Sequence, residues 1–317
     1  MKLLKLVPDH TNINFMRWRN LALVLSIIAT IASLALVGVK GLNLGVDFVG
    51  GQVVRVTFAQ PVNIEDLRGR VDKLEVGDAS IQQFGDDRTY QIRLPKPDGS
   101  EGEAAAIVTK VREFIPQAYP GAKVGAGEAV SGKVSEELAR DGALSITLAM
   151  IGIAIYIWFR FEWQFGVGAL LTLFHDVSMT LGFFSLTGLQ VDLNVVAAIL
   201  TIVGYSLNDT VVIYDRIREN LRKYRKMAIV PLLNLSLNET LSRTIVTSLS
   251  ILLALGMLMI LGPDVIFGLT IAIFLGIFIG TYSSIYISSP VLVWLGVKPD
   301  SFLRSGDEKD EAQPEPA

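Results

Sequence analysis

The chain alternates between long runs without charge and shorter polar segments. A helix needs about 20 mostly apolar residues to cross a bilayer, so such runs are candidate membrane spans. We predict a membrane helix in each of six runs: Leu21–Val39, Gly142–Phe159, Phe165–Leu189, Leu193–Tyr214, Thr244–Leu261 and Val265–Val297. The last run is too long for one upright span and too short for two. We predict one tilted helix with an interfacial lead-in, because Pro290 falls only near its end.

The first run could also be the apolar part of a cleaved signal peptide, because Arg17 and Arg19 precede it. Its 19 uncharged residues exceed the roughly 7–15 of a typical signal segment, and no clear small-residue cleavage site follows. We therefore predict an uncleaved first span.

Residues 40–141, between the first two runs, have the pattern of a small folded domain. Alternating short strands and helices are predicted in the order β-α-β-β-α-β: Val53–Phe58, Ile64–Leu74, Ile81–Phe84, Thr89–Leu94, Glu103–Phe114 and Lys123–Ala129. This order favours a ferredoxin-like α+β fold. The predicted fold class is thus an α-helical membrane protein with six transmembrane helices and a small α+β domain between helices 1 and 2.

The distribution of Lys and Arg predicts the orientation of the chain. The termini and the loops on their side hold 15 of the 28 basic residues, whereas Gln190–Asp192 and Gly262–Asp264 hold none. Short basic loops stay in the cytoplasm. Residues 1–20, 215–243 and a disordered tail at 298–317 are therefore predicted to be cytoplasmic. Residues 40–141 follow the first span and are therefore predicted to lie outside. Their 13 basic residues do not contradict this, because long domains do not obey the charge rule.

Composition agrees with a membrane protein and excludes several classes. The chain is 51% hydrophobic and only 19% charged, with a mean hydropathy of +0.47. The absence of Cys removes disulfide and zinc-finger scaffolds, and two His make a His-rich metal site improbable. A net charge of −3 indicates no nucleic-acid partner. We expect no metal, no cofactor and no enzymatic activity, since no nucleophile–base pair appears.

One segment comes close to a nucleotide-binding motif. Gly127–Val134 resembles a phosphate-binding loop, but Val134 stands where Mg²⁺ binding requires Ser or Thr. We therefore predict that no nucleotide binds this chain.

Four ionisable residues interrupt the apolar runs or open them. A charge at mid-bilayer costs at least about 2.5–3.5 kcal/mol, so such residues face a partner or a water path. Asp209 lies near the end of the fourth run, and Arg243 opens the fifth at a similar depth. His175 and Asp176 are adjacent on the third run, so they should point about 100° apart and not stack.

These residues allow a functional and a structural interpretation. Asp209 could take up and release a proton, with Arg243 as a charge partner that shifts its proton affinity. The alternatives are a static interhelical hydrogen bond for Asp209 and a side chain reaching the interface for Arg243. Gly276 and Gly280 form a GxxxG pattern that predicts a packing face on the last helix.

Four motifs in order resemble one family of membrane proteins. They cover most of the chain, from Asn12 to about Trp294: Gly45–Gly51, Phe159–Trp163, Asn208–Asn220 and Asn238–Thr244. Together they are similar to the SecF family, the smaller membrane subunits of the SecD–SecF complex of bacterial protein export. One departure is Met227–Leu235, which is unusually apolar and predicts an amphipathic segment on the inner membrane face.

The resemblance implies a fold, partners and a mechanism. The six helices would form half of an RND-like twelve-helix unit, with SecD supplying the other half. The complex would work beside the SecYEG channel in the inner membrane and use the proton-motive force to move an unfolded exported polypeptide. Protons would be the coupling ion, and membrane lipid would surround the helices.

The resemblance also implies roles for residues. Asp209 and Arg243 match the family's proton path, with His175, Asp176 and Asn208 as secondary candidates. The motif after the first span, with Gly45, Asp47, Gly50 and Gly51, is similar to a family signature, and its glycine-rich character fits a packing or hinge role as well as a functional one.

Two other functions compete with export. The first is a proton-coupled half-transporter of the same plan for a small molecule or a lipid. Such exporters usually carry much larger outer domains than the segment of residues 40–141. The second is a scaffold without proton coupling, which would leave Asp209 and Arg243 with packing roles only.

Overall fold

The structure is a computed structural model. It describes residue 8 and residues 11–297, except 75, 77, 78, 85, 86, 95–100, 126 and 131. The predicted tail at 298–317 and nearly all of residues 1–10 lie outside the described residues. So does Ser131, within the segment that resembles a phosphate-binding loop.

Six helical segments are long and apolar enough to cross a membrane, counting within the described residues. The helices run as follows: α1 Arg19–Lys40, α2 Val46–Val49, α3 Ile64–Asp72, α4 Glu101–Ala118, α5 Gly132–Arg160, α6 Trp163–Thr187, α7 Leu193–Lys223, α8 Ile229–Leu261, α9 Phe267–Ser283 and α10 Ser289–Trp294. The membrane helices are α1, α5, α6, α7, α8 and the pair α9–α10.

Several helices extend beyond the uncharged runs that predicted them. Helix α5 begins at Gly132, ten residues before its run, and α7 continues past Tyr214 to Lys223. The segment 215–243, predicted as a loop, is therefore mostly helical, and only residues 224–228 separate α7 from α8. Polar residues continue a helix once its apolar part has formed, because each added residue gains a backbone hydrogen bond.

The prediction of a separate amphipathic segment at Met227–Leu235 is wrong. Helix α8 begins at Ile229 and runs without a break to Leu261. Leu232 and Leu233 are fully buried in the same cluster as Phe165 and Tyr214. Their apolar character is explained by packing within the helix bundle.

The last membrane span is one helical segment, Phe267–Trp294, which confirms the prediction of a single helix. A short 3₁₀ helix, Asp264–Ile266, leads into it. Within the span, a π-helical turn, Ser284–Ser288, joins α9 to α10. Pro290 lies two residues after this turn and has no N–H to donate to the carbonyl one turn earlier. The missing donor explains why the helix widens here.

The domain between α1 and α5 contains an antiparallel sheet. Its strands are β2 Gly51–Thr57, β3 Ser80–Gln83, β4 Thr89–Leu94, β5 Lys123–Val124 and β6 Glu128–Val130. The strand order is β3-β4-β2-β5, and β6 also pairs with β2. Helices α3 and α4 complete the order β-α-β-β-α-β, which confirms the α+β prediction. The predicted last strand, Lys123–Ala129, is divided into β5 and β6.

The α+β domain is joined to the bundle by a second, parallel pair of short strands. Strand β1, Asn43–Leu44, follows α1 and pairs with β7, Gln190–Val191, in the turn between α6 and α7. The side-chain amide of Gln91 in the sheet donates to Gln190 at 2.8 Å. The base of the domain thus contacts the chain immediately before α7.

The GxxxG pattern of the last helix is confirmed as a packing face. A Cβ atom at Gly276 would collide with Ile202 on α7. At Gly280 it would lie 3.4 Å from Ser206. The missing side chains let α9 approach the polar part of α7 closely.

Candidate functional site

Asp209 lies in the middle of α7 and is 4% exposed. Its Oδ2 atom is buried without a hydrogen-bond partner among the described residues. The hydroxyls of Thr210 and Thr244 are likewise buried and unpaired. A buried polar atom without a partner costs about 1–3 kcal/mol, and more when it is charged. The unsatisfied carboxylate oxygen of Asp209 is therefore an atom at which a proton or a water molecule would be stabilising.

Arg243 lies beside Asp209 but does not form an ion pair with it. Tyr205 on α7 donates to Ser248 on the antiparallel α8 at 3.3 Å. Asp209 follows Tyr205 by four residues and Thr244 precedes Ser248 by four, so Asp209 and Thr244 lie at the same level of the bundle. The side chain of Arg243 is exposed. Its guanidinium lies more than 4.0 Å from the carboxylate of Asp209, which is too far for a salt bridge. The two charges still interact electrostatically.

The pair His175–Asp176 forms a buried polar centre, and the expectation that the two side chains do not meet is wrong. His175 Nδ1 lies 2.9 Å from Asp176 Oδ1. The other oxygen of Asp176 accepts hydrogen bonds from Ser206 at 2.6 Å and Ser283 at 2.9 Å. Asp176 is fully buried, and it connects α6, α7 and α9.

Sequence reasoning missed Ser206 and Ser283. Serine is common in membrane helices, because its hydroxyl can bond to a carbonyl of the same helix. A signal was nevertheless present, since Ser206 precedes Asp209 by three residues.

Asn208 and Arg243 belong to exposed stripes of small and polar residues. The stripe on α7 comprises Ala197, Thr201, Gly204 and Asn208, and the stripe on α8 comprises Arg243, Thr247, Ser250 and Ala254. The hydroxyls of Thr201, Thr247 and Ser250 donate to carbonyls of their own helices. Exposed positions on α1 are mostly large and apolar instead, and α8 also exposes large apolar side chains outside its stripe, among them Leu253 and Ile260. Small-residue stripes are typical of helix–helix interfaces in membranes.

The Gly45–Gly51 motif attaches the α+β domain to α7. The side chain of Asp47 accepts from the backbone N–H of Leu193, the first residue of α7, at 3.0 Å. Gly45 donates to the carbonyl of Val191 at 2.7 Å. We call this contact between Asp47, Gly45 and residues 190–193 the α7 clamp.

The two glycines that end the motif are required by the backbone. Gly50 and Gly51 have φ values of 71° and 111°, where a side chain is strained. A Cβ atom on Gly50 would also press against Ser135 and Gly132 at the start of α5.

A second carboxylate lies next to the clamp. Asp192 caps α7 by accepting from the backbone N–H of Val195 at 3.0 Å. Burial raises the pKa of Asp192 above its ordinary value, the nearby Asp47 raises it further, and hydrogen bonds from Val195 and Asn194 oppose the shift. The N-terminus of α7 thus holds two acidic groups, as its dipole favours.

No cluster of three His, Cys, Asp or Glu side chains that could hold a metal occurs in the described part of the chain.

Comparison with known proteins gives the class first. Residues 110–298 match the family model "Protein export membrane protein SecD/SecF, C-terminal", and residues 35–62 match the "SecD/SecF GG Motif". Six membrane helices, an inserted α+β domain and this motif define a multi-pass membrane protein of the protein-export machinery.

Individual relatives narrow the class. The chain is 43% identical over 293 residues to "Protein translocase subunit SecF" of Pseudomonas aeruginosa, covering 92% of this chain and 94% of the relative. It is 39% identical to the SecF subunit of Vibrio alginolyticus, with 98% of each chain covered. The chain belongs to the SecF family of protein translocase subunits.

Solved structures agree. The crystal structure of SecDF from Thermus thermophilus, described as a translocon-associated membrane protein, matches with a TM-score of 0.84 and 35% identity over 92% of this chain. A structure of SecDF in a "Super-membrane-facing form" matches with a TM-score of 0.66 and 34% identity. This chain spans about two fifths of those SecDF chains, 39% and 40%.

Proposed function

We propose that this chain couples the proton-motive force to protein export, together with SecD and beside SecYEG. Its termini lie in the cytoplasm, and the α+β domain lies in the periplasm. The exported polypeptide is unfolded, and protons are the coupling ion. The observation that carries the proposal is the buried, unpaired carboxylate oxygen of Asp209 in the centre of a membrane helix.

The carboxylate of Asp209 has the properties of a site that changes protonation. Burial penalises its charged form, and no described group donates a hydrogen bond to Oδ2. Approach of a positive charge would favour release of the proton, and its withdrawal would favour uptake. Asp176 differs, because both of its oxygens are already hydrogen-bonded.

The exposed side chain of Arg243 supports the proposal that a partner protein binds the face formed by α7 and α8. The side chains of Arg243 and Asn208 form no hydrogen bond or ion pair within the described residues and are exposed, so both are available to a partner outside this chain. A guanidinium in the membrane faces an acid or a water-filled path. We assign this face to SecD, which would supply the acid that competes with Asp209 for Arg243.

The α7 clamp supports a mechanical connection to the outer domain. Asp209 and the N-terminus bound by Asp47 lie on the same continuous helix. A shift of α7 on protonation would therefore move the base of the α+β domain. One charge crossing 100 mV supplies about 2.3 kcal/mol, enough to reverse a two-state equilibrium of comparable size.

Export in living cells tests the proposal. Asp209→Asn removes the titrating group, whereas Asp215→Asn on the same helix removes an acid that is paired with Arg160 at 2.9 Å and half exposed. In a pulse-chase of a periplasmic protein, the first variant should slow export and the second should leave it near normal, with membrane levels equal. Normal export by Asp209→Asn would contradict proton coupling at this residue.

A further inference from the structure

A groove runs along the outside of the bundle between α1, α6 and α10. It has a volume of about 410 Å³. Apolar side chains form most of its wall: Leu23, Ile27, Ile31, Leu34, Leu171, Phe174, Ile287, Val291, Trp294 and Leu295.

The polar residues in the wall are satisfied within the protein. The hydroxyls of Ser26 and Tyr282 lie 3.0 Å apart, and Thr30 donates to the carbonyl of Ser26 at 2.8 Å. His175, at one end of the groove, is bonded to Asp176. The groove therefore offers a mostly hydrocarbon surface whose wall hydroxyls are hydrogen-bonded within the protein.

The length of the groove matches one leaflet of a bilayer. Leu23 and Leu34 mark its extent along α1, eleven residues apart, or about 16 Å at 1.5 Å per residue. The hydrocarbon core of a bilayer is about 30 Å thick, so one leaflet contributes about half of that. One extended acyl chain would cover the groove from end to end.

A cation lies at the mouth of the groove. Arg19 precedes Leu23 by one helical turn on the same face of α1. Its Nη1 donates to the carbonyl of Met16 at 3.2 Å, but its Nε is buried without a partner among the described residues. No acidic residue lies in the first turn of α1. Trp18 and Trp294 are exposed near this end, as is typical of the membrane interface.

We infer that this groove binds one anionic phospholipid. An acyl chain lies along α1 towards His175, in the leaflet where α1 begins. The phosphate accepts hydrogen bonds from the guanidinium of Arg19. An apolar trough of leaflet length, with an arginine one helical turn beyond its end and no acid in the first turn of that helix, is complementary to a phosphate and its attached chain.

Native mass spectrometry of the full-length chain in detergent tests the acyl-chain part. Phosphatidylglycerol should remain bound with one molecule per chain. Ile27→Trp fills the groove and should abolish this retention, whereas Ile28→Trp, on the neighbouring exposed position outside it, should not. The two residues are 49% and 57% exposed, which makes the substitutions comparable. Equal retention by both variants would overturn the proposal.

A second pair of variants tests the headgroup part. Arg19→Gln should weaken phosphatidylglycerol binding about fivefold, the factor expected for one basic side chain near an anionic surface. Arg17→Gln removes an equal charge two residues away, where the side chain is exposed, and should have a smaller effect. Equal losses in the two variants would overturn the assignment of Arg19. So would binding of phosphatidylethanolamine as tightly as phosphatidylglycerol.

Photo-crosslinking in membranes decides between a lipid and a protein helix. Phosphatidylglycerol with a diazirine in its acyl chain should label peptides from α1 and α10 in the wild type, and less in Ile27→Trp. A photoreactive residue at Ile31 that reacts only with another membrane protein would overturn the lipid assignment. None of these readouts depends on export, so they are independent of the proposed coupling.

Discussion

Two buried aspartates in adjacent helices show how similar residues acquire different roles. Asp176 is held by His175, Ser206 and Ser283, and neither of its oxygens lacks a partner. Asp209 keeps one buried oxygen unpaired within the described residues. The first arrangement stabilises the packing of three helices, and the second leaves a group free to change protonation.

Substitution of Ser206 tests the structural role of Asp176. Ser206→Ala removes a 2.6 Å hydrogen bond to a buried carboxylate and should lower the free energy of unfolding by about 1.5–3 kcal/mol. Thr201→Ala, one exposed position on the same helix, removes only a bond to its own helix and should change it by less than about 0.5 kcal/mol. Reversible unfolding in mixed micelles measures both. Equal effects would mean that the Asp176 centre does not hold the helices together.

At this scale the sequence indicated the ionisable residues but not their partners. Asp209, Arg243, His175 and Asp176 stand out because charge is rare in apolar runs. Nothing in the sequence distinguishes Ser283, which bonds to Asp176, from Ser250, which bonds to its own helix. Only the packing of α9 on α6, which brings Ser283 to Asp176, separates the two.

The element that connects the membrane site to the outer domain is α7. Its N-terminus is held by the α7 clamp, and its middle carries Asp209. Glycine at position 45 allows a close approach there, because a Cβ atom would lie 3.2 Å from the backbone carbonyl oxygen of Val191. A rigid helix fixed at one end to the domain is suited to transmit a shift along its axis.

Removal of the Asp47 carboxylate tests the clamp. Asp47→Ala leaves the N–H of Leu193 without its acceptor, and the amide should exchange with solvent about tenfold faster. Asp87→Ala, an exposed acid elsewhere in the domain, serves as the control. Unchanged exchange at Leu193 would show that Asp47 does not hold the start of α7.

The pH dependence of the clamp follows from Asp192. Folding raises the pKa of Asp192. Its contribution to stability is therefore fully present at a pH below its pKa in the unfolded protein, and it is lost as the pH rises through its pKa in the folded protein. Asp192→Asn retains an acceptor for Val195 but cannot ionise. The thermal midpoint of the wild type should therefore fall relative to the variant between pH 4 and pH 7. A constant difference across this range would contradict the assignment.

The helices themselves were predicted more reliably than their ends. Apolar runs located the six membrane helices found among the described residues, but α8 begins fifteen residues before its run, at Ile229. The polar residues of that extension are paired across the hairpin, for example Asn220 with Glu239 at 2.7 Å. A rule based on the absence of charge cannot foresee helices that are stabilised by paired charges.

The molecule as a whole combines a membrane bundle with an α+β domain, and the bundle exposes a face of small and polar residues. The stripes that contain Asn208 and Arg243 occupy that face, on α7 and α8. The order of strands and helices in the α+β domain was predictable from the alternation of their sequence patterns. The exposed face was not, because it depends on which residues the bundle itself buries.

Enlarging a glycine on this face tests whether SecD binds there. A Cβ atom at Gly204 has no neighbour within 4 Å, so Gly204→Leu should fold normally and yet reduce co-purification of SecD. Gly152→Leu on α5 also meets no neighbour and should leave SecD bound. The reverse pattern would move the interface to α5.

The most direct test of proton coupling uses proteoliposomes that contain this chain, SecD and SecYEG with a stalled, partly translocated polypeptide. After ATP is removed, an imposed proton gradient should complete translocation with the wild-type chain and with Asp215→Asn. It should fail to do so with Asp209→Asn or after an ionophore collapses the gradient. Completion by Asp209→Asn at the wild-type rate would contradict the account.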